Sequence, residues 1–103
     1  MRKILIVGAG RSSSAMIRYL LDKSTEQSLK IIVADISVDN AKRLVNNHVN
    51  SQVVQLDIFN VEDRKRWVKS SDIVVSMLPA RFHLEIAKDC LEFGKNLVTA
   101  SYI

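Results

Sequence analysis

Two hydrophobic patterns take turns along the chain. Short continuous apolar runs mark strands covered on both faces, and apolar residues three and four apart mark helices with one buried side. Lys3 to Val7 is the first predicted strand, Ser13 to about Asp22 the first helix, and the polar stretch 23–28 the loop after it. Leu29 to Asp35, centred on Ile31-Ile32-Val33, is the second strand and ends on an acid. Val38, Ala41, Leu44 and Val45 then recur at helical spacing behind Ser37, a suitable helix cap. Gln52 to Leu56 is a third strand, followed by Asp57 and by a helix from Val61 to about Lys69 that is expected to bury Val61, Trp67 and Val68. Asp72 to Met77 is the fourth strand, closed by Leu78-Pro79, because proline disfavours a strand interior and restricts the residue before it. A helix from Arg81 to Phe93 carries Phe82, Ile86, Cys90 and Phe93 on one side and stops at Gly94, and Asn96 to Thr99 is the fifth strand.

Strict alternation of strand and helix predicts an α/β fold with a doubly wound parallel sheet and right-handed crossovers, in the order 3-2-1-4-5. The 103 residues suffice for one domain, 1–103, without linker or repeat. Apolar residues are 48% and charged residues 25%, the balance of an ordinary globular protein. No stretch reaches the roughly 20 apolar residues of a membrane span, and the run after Met1-Arg2-Lys3 is broken by Gly8, Gly10 and Arg11. It reads as a strand, not a signal peptide, so a cytoplasmic protein without a membrane partner is expected. The net charge of +4 is spread among acids. Its densest run, Arg64-Lys65-Arg66 beside Trp67, reads as a solvated helix face with one buried ring, so no nucleic-acid partner is expected. Cys90 has no partner for an internal disulfide and no neighbours at metal-ligand spacing; its line with Phe82 and Ile86 makes it a core thiol, and no metal is expected.

The candidate chemistry begins where the first strand ends. Gly8-Ala9-Gly10-Arg11-Ser12-Ser13 joins a strand to a helix, a turn that presents backbone N–H groups and the positive end of a helix dipole to an anion. The expected anion is a dinucleotide pyrophosphate. Gly8 makes the tight turn, Gly10 admits the pyrophosphate, Arg11 either reaches a phosphate or stays solvated, and Ser12 and Ser13 offer donors. Ser13 replaces the third glycine of the usual fingerprint and is equally placed to cap the helix, which is expected to sit slightly farther from the sheet. Asp35 ends the second strand 22 positions after Ser13, where an acid takes the adenosine ribose hydroxyls and repels a 2′-phosphate. Residues 36–38 are Ile-Ser-Val and include no arginine, so NAD is expected over NADP. Asp57 and Ile58 border the adenine, with a turn-forming role for Asp57 equally open. Met77, Leu78 and Pro79 end the fourth strand, where the nicotinamide ribose would lie. His83 reads as a packing or capping residue close to that end, and His48 has no assigned role.

The stretch Asp72 to Tyr102, DIVVSMLPARFHLEIAKDCLEFGKNLVTASY, resembles the corresponding part of the saccharopine dehydrogenases: the strand closes on Leu78-Pro79, His83 follows, then Cys90, Gly94-Lys95 and Thr99-Ala100-Ser101-Tyr102. The glycine turn, Ala34-Asp35 and Leu56-Asp57 fit as well. The resemblance implies an NAD(P)-dependent oxidoreductase acting on the CH–NH bond of an amino-acid-derived secondary amine, in which the cofactor carries the hydride and the protein positions it. It also implies that this is the N-terminal cofactor domain of a longer enzyme, inactive alone, whose amino-acid-type substrate is held mainly downstream; homo-oligomerisation of the whole protein stays open. In NADP-using members an arginine often follows the acid of the second strand, and Ile36 stands there. The resemblance assigns no catalytic acid or base; Ser101 and Tyr102 are hydroxyls that would border the nicotinamide.

Two other readings share parts of the pattern. Nucleotide-sensing regulatory domains of potassium uptake systems begin with a similar strand, Gly-x-Gly turn and acid-ended second strand, but Pro79 and the run Gly94 to Thr99 argue against them. Glucose-fructose-type oxidoreductases also carry a proline and a histidine after the fourth strand, yet typically continue into Glu-Lys-Pro, where this chain has Ser101-Tyr102.

Overall fold

A computed structural model describes residues 1–10 and 13–99 of the chain. Five parallel strands, β1 (Arg2–Val7), β2 (Leu29–Asp35), β3 (Ser51–Gln55), β4 (Ile73–Ser76) and β5 (Asn96–Thr99), form one sheet in the order β3-β2-β1-β4-β5. This is the doubly wound order expected from the alternation. The register sets Val7 beside Ala34 and Ser76, so the carboxyl ends of the three central strands finish level with one another.

Strand periodicity sends alternate residues of the central strands to opposite faces, and each set finds its own helices. Ile4, Ile6, Ile31 and Val33 pack under α1 (Ser14–Ser24) and α2 (Val38–Val45) through Ile17, Leu21, Ala41 and Val45. Leu5, Val7, Ile32 and Val74 pack under α3 (Val61–Lys69) and α4 (His83–Phe93) through Val68, Ile86 and Cys90. The continuous apolar runs are thus buried on both faces, and Cys90 is the core thiol its spacing implied.

The helix ends follow from local chemistry, with several departures from the sequence reading. Ser37 caps α2 through an acceptor bond from Asn40 N, as expected, and Asn60 caps α3 by accepting from Asp63 N. Gly94 ends α4 in the left-handed conformation, φ +67°. Helix α1 runs to Ser24 rather than Asp22, because the Ser24 hydroxyl is buried: it donates to the Leu21 carbonyl at 2.6 Å and accepts from Asn50 Nδ2 at 3.0 Å. Val61 is half-exposed rather than buried, since the first turn of α3 stands clear of the sheet. Phe82 lies in a 3₁₀ turn, Ala80–Phe82, ahead of α4, and so leaves the helix's core face. Arg64 departs most: it is 5% exposed and paired with Asp89, while Lys65 and Arg66 keep to the surface. Among the described residues no helix is long and apolar enough to cross a membrane.

Candidate functional site

The glycine turn is locked by its neighbours on both sides. Gly8 N donates to the Ala34 carbonyl and Met77 N to the Val7 carbonyl, both at 2.8 Å, which continue the sheet ladder into the turn. Gly8 then adopts φ +105°, and a Cβ there would meet the Met77 carbonyl carbon at 3.2 Å and its oxygen at 3.3 Å. Only glycine fits, because the conformation is strained for any side chain and the β4 exit runs against it. Gly10 is different: a Cβ would meet nothing within 4 Å, so open space lies above its backbone. Ser13 is fully buried, and its hydroxyl donates to the Gly8 carbonyl at 2.9 Å instead of capping α1. The residue in place of the third glycine therefore braces the turn from below. Arg11 and Ser12 lie outside the described residues, as do Ser101 and Tyr102.

Asp35 closes over the same turn. Its Oδ1 accepts from Ala9 N at 3.1 Å and its Oδ2 from Ser37 N at 3.0 Å. Each carboxylate oxygen has a second lone pair, so Asp35 both fixes the turn and retains acceptor capacity for a hydroxyl. At the end of β3, Asp57 Oδ1 accepts from Phe59 N at 2.9 Å and the Asp57 carbonyl from Asn60 N at 2.9 Å, the turn-forming role that the sequence left open.

Between these ends lies a cleft of about 170 Å³. Its floor is Val7, Ala34 and Leu56, one side is Gly8, Asp35 and Ile36, and the other is Asp57, Ile58 and Phe59, with Leu78 and Phe82 across the top of β4. An apolar floor with carboxylates on two sides suits a flat heteroaromatic group joined to a hydroxylated ring. Of the residues singled out from the sequence, Gly8, Asp35, Asp57, Ile58 and Leu78 line this cleft. Met77 is packed under the glycine turn, and Pro79 is exposed at the edge, its carbonyl accepting from Phe82 N.

Sequence reasoning missed the two phenylalanines. Phe59, 72% exposed, meets Phe82 edge to face with ring centroids 5.8 Å apart and planes at 82°, and the Arg81 guanidinium sits 4.8 Å from the Phe82 ring centre. The available signal was Phe59 itself, a large apolar residue in a strand-end loop with no strand or helix period to explain it. His83 accepts or donates at Nδ1 with the buried Ser76 hydroxyl, 2.7 Å away, and so packs the start of α4 on the end of β4, as its position predicted.

The comparisons with known proteins agree with this architecture. Residues 4–102 match the family model described as saccharopine dehydrogenase NADP binding domain. The chain is 32% identical to an Arabidopsis thaliana alpha-aminoadipic semialdehyde synthase over 97% of its own length and 11% of that protein's. It is 27% identical to a saccharopine dehydrogenase [NADP(+), L-glutamate-forming] of Schizosaccharomyces pombe, over all of the chain and 22% of the relative. The apo saccharopine dehydrogenase (L-Glu forming) of Saccharomyces cerevisiae superposes on the whole chain with a TM-score of 0.86 at 23% identity, again with 22% of that chain covered. The chain thus spans a small part of the proteins it matches, and it belongs to the saccharopine dehydrogenase NADP-binding domain family.

Proposed function

We propose that this domain holds a nicotinamide dinucleotide, in the form of NADP(H), as the cofactor-binding part of an oxidoreductase acting on the CH–NH bond of an amino-acid-derived secondary amine. The observation that carries the reading is the cleft at the strand ends, lined by the locked Gly8 turn and by the Asp35 carboxylate that bonds Ala9 N, next to the open space over Gly10. Gly8 and Gly10 give the pyrophosphate its close approach, with Arg11, Ser12 and the start of α1 supplying positive charge and donors. Asp35 accepts from the adenosine ribose, the floor of Val7, Ala34 and Leu56 takes the adenine between Ile36 and Ile58, and Met77, Leu78 and Pro79 border the nicotinamide ribose. When bound, the dinucleotide supplies or accepts a hydride at nicotinamide C4.

The family's name supports NADP. At Asp35 two backbone N–H groups bond the carboxylate oxygens, which lessens but does not reverse the repulsion a 2′-phosphate would meet. A second reading, NAD, rests on the same carboxylate and on Ile36 standing beside it where an arginine would welcome the phosphate. Titration of the chain with NADPH and NADH separates the two. Tighter NADPH by about tenfold or more, a difference of about 1.4 kcal/mol, is the expected result. The reverse order selects NAD, and binding of neither overturns the dinucleotide reading. Gly10→Val, which folds because the space is open, is expected to abolish binding of both.

A further inference from the structure

Arg64 stands in a sequence pattern that implies a solvated face, yet its guanidinium is buried between two helices and a loop. Nε and Nη2 both donate to the Asp89 carboxylate of α4, the latter to Oδ1 at 3.3 Å, while Nη1 donates to the Ile58 carbonyl at 2.8 Å. Glu85 stands 3.9 Å from Nη2, and Asp89 is 2% exposed. A buried ion pair is a poor source of stability, since apolar residues of similar volume hold two helices together equally well. What an apolar pair cannot do is donate to Ile58.

That carbonyl belongs to the loop that builds one wall of the cleft, with Asp57, Ile58 and Phe59 all lining it. The loop's other hydrogen bonds hold it to the sheet and to its own helix: Leu56 N donates to the Asp35 carbonyl at 3.0 Å, Phe59 N and Asn60 N bond to Asp57, and Asn60 accepts from Asp63 N and Arg64 N, and none of these bonds reaches α4. Arg64 ties the turn to α4, the helix that starts immediately after Phe82, and Phe82 packs edge to face on Phe59 in the same wall. We propose that Arg64 is a positioning residue for the adenine end of the cofactor, its planar fork holding the Asp57–Phe59 wall at a fixed distance from the cleft floor through Asp89. This rests on the dinucleotide reading above. Lysine, with a single donor point, cannot reach Ile58 and span the Asp89 carboxylate together.

The test compares two probes, 2′,5′-ADP, which carries adenine, and inorganic pyrophosphate, which does not, by NMR titration of the wild-type chain, Arg64→Lys and the double variant Arg64→Met/Asp89→Leu. The double variant removes both charges at once, so it is expected to fold with a thermal midpoint close to wild type. In both variants the affinity for 2′,5′-ADP is expected to fall about tenfold, the scale of one lost positioning hydrogen bond, while pyrophosphate binding is unchanged. Wild-type affinity for 2′,5′-ADP in the folded double variant would overturn the proposal, as would an equal loss of both probes, which marks a general structural role. If the wild-type chain binds neither probe, the dinucleotide reading falls and the proposal with it.

Discussion

The two walls of the cleft are held by different physics. The wall of Gly8 and Asp35 is built from backbone: a positive φ, ladder bonds that run past the strand ends, and a carboxylate bonded to two main-chain N–H groups. The wall of Ile58, Phe59 and Phe82 is built from side chains, an aromatic edge contact and a buried guanidinium that reaches from α3 to α4. Backbone geometry tolerates almost no variation, whereas side-chain ties can be exchanged for others of the same shape. The first wall therefore suits the pyrophosphate and the adenosine ribose, which need a close and fixed backbone approach. The second suits the part where neighbouring groups tune affinity.

The sharpest way to break this contrast is to remove one member of the buried pair. Asp89→Ala leaves the Arg64 charge buried without its carboxylate, a change that typically costs about 3–5 kcal/mol. For a domain of this length that lowers the thermal midpoint by more than about 10 °C, measurable by circular dichroism. Because both charges go together, the Arg64→Met/Asp89→Leu variant should stay near wild type; a loss in it as large as in Asp89→Ala would mean that the pair itself holds the domain together.

On the backbone wall the matching change is Gly8→Ala. Left-handed strain of about 1–3 kcal/mol adds to the 3.2 Å approach of the new Cβ to Met77, so a total near 2–3 kcal/mol is expected, together with loss of dinucleotide binding. Urea unfolding followed by NADPH titration of the folded fraction checks both. Full binding in this variant would show that the turn relaxes and that the wall is less rigid than its bonds imply.

These walls also differ in how much of each was legible in the sequence. Gly8, Gly10 and Asp35 could be placed because they fall at strand ends, and strand ends follow from apolar runs and from the level register of a parallel sheet. Ala9 and Asp35 are 26 positions apart, so sequence separation was no obstacle there. Arg64 and Asp89 are 25 apart and were not foreseen. Their meeting depends on how α3 and α4 are rotated against each other, and an Arg-Lys-Arg run in a helix has the pattern of a solvated face whichever member turns inward. The hydroxyl of Ser13 was misread for a related reason: a serine at a helix start is a cap by position, and only the depth of the turn shows that it donates to Gly8 instead. Phe82 went astray because its spacing from Ile86 suits a helical face, while Pro79 upstream makes the chain enter α4 through a 3₁₀ turn.

The smallest effect comes from Cys90, which sits beside Asp89 under the side-chain wall. Burial, and then the neighbouring Asp89 carboxylate, raise its thiol above the ordinary value of 9.0. In the unfolded chain the thiol loses its proton as the pH passes that value, while the folded chain keeps it. The native state then binds more protons than the unfolded one, so the Cys90 contribution to stability falls as pH rises from about 9 and is constant at neutral pH. Lysines and tyrosines titrate in the same range, so the measurement is a difference: urea stability of wild type minus Cys90→Ala, from about pH 8 to about pH 10. A difference that shrinks as the pH rises is expected, along with slow reaction of the native thiol with an alkylating reagent compared with the unfolded chain. A flat difference with fast labelling would place the thiol in contact with water, and the packing between α3 and α4 would then be looser than the buried Arg64–Asp89 pair implies.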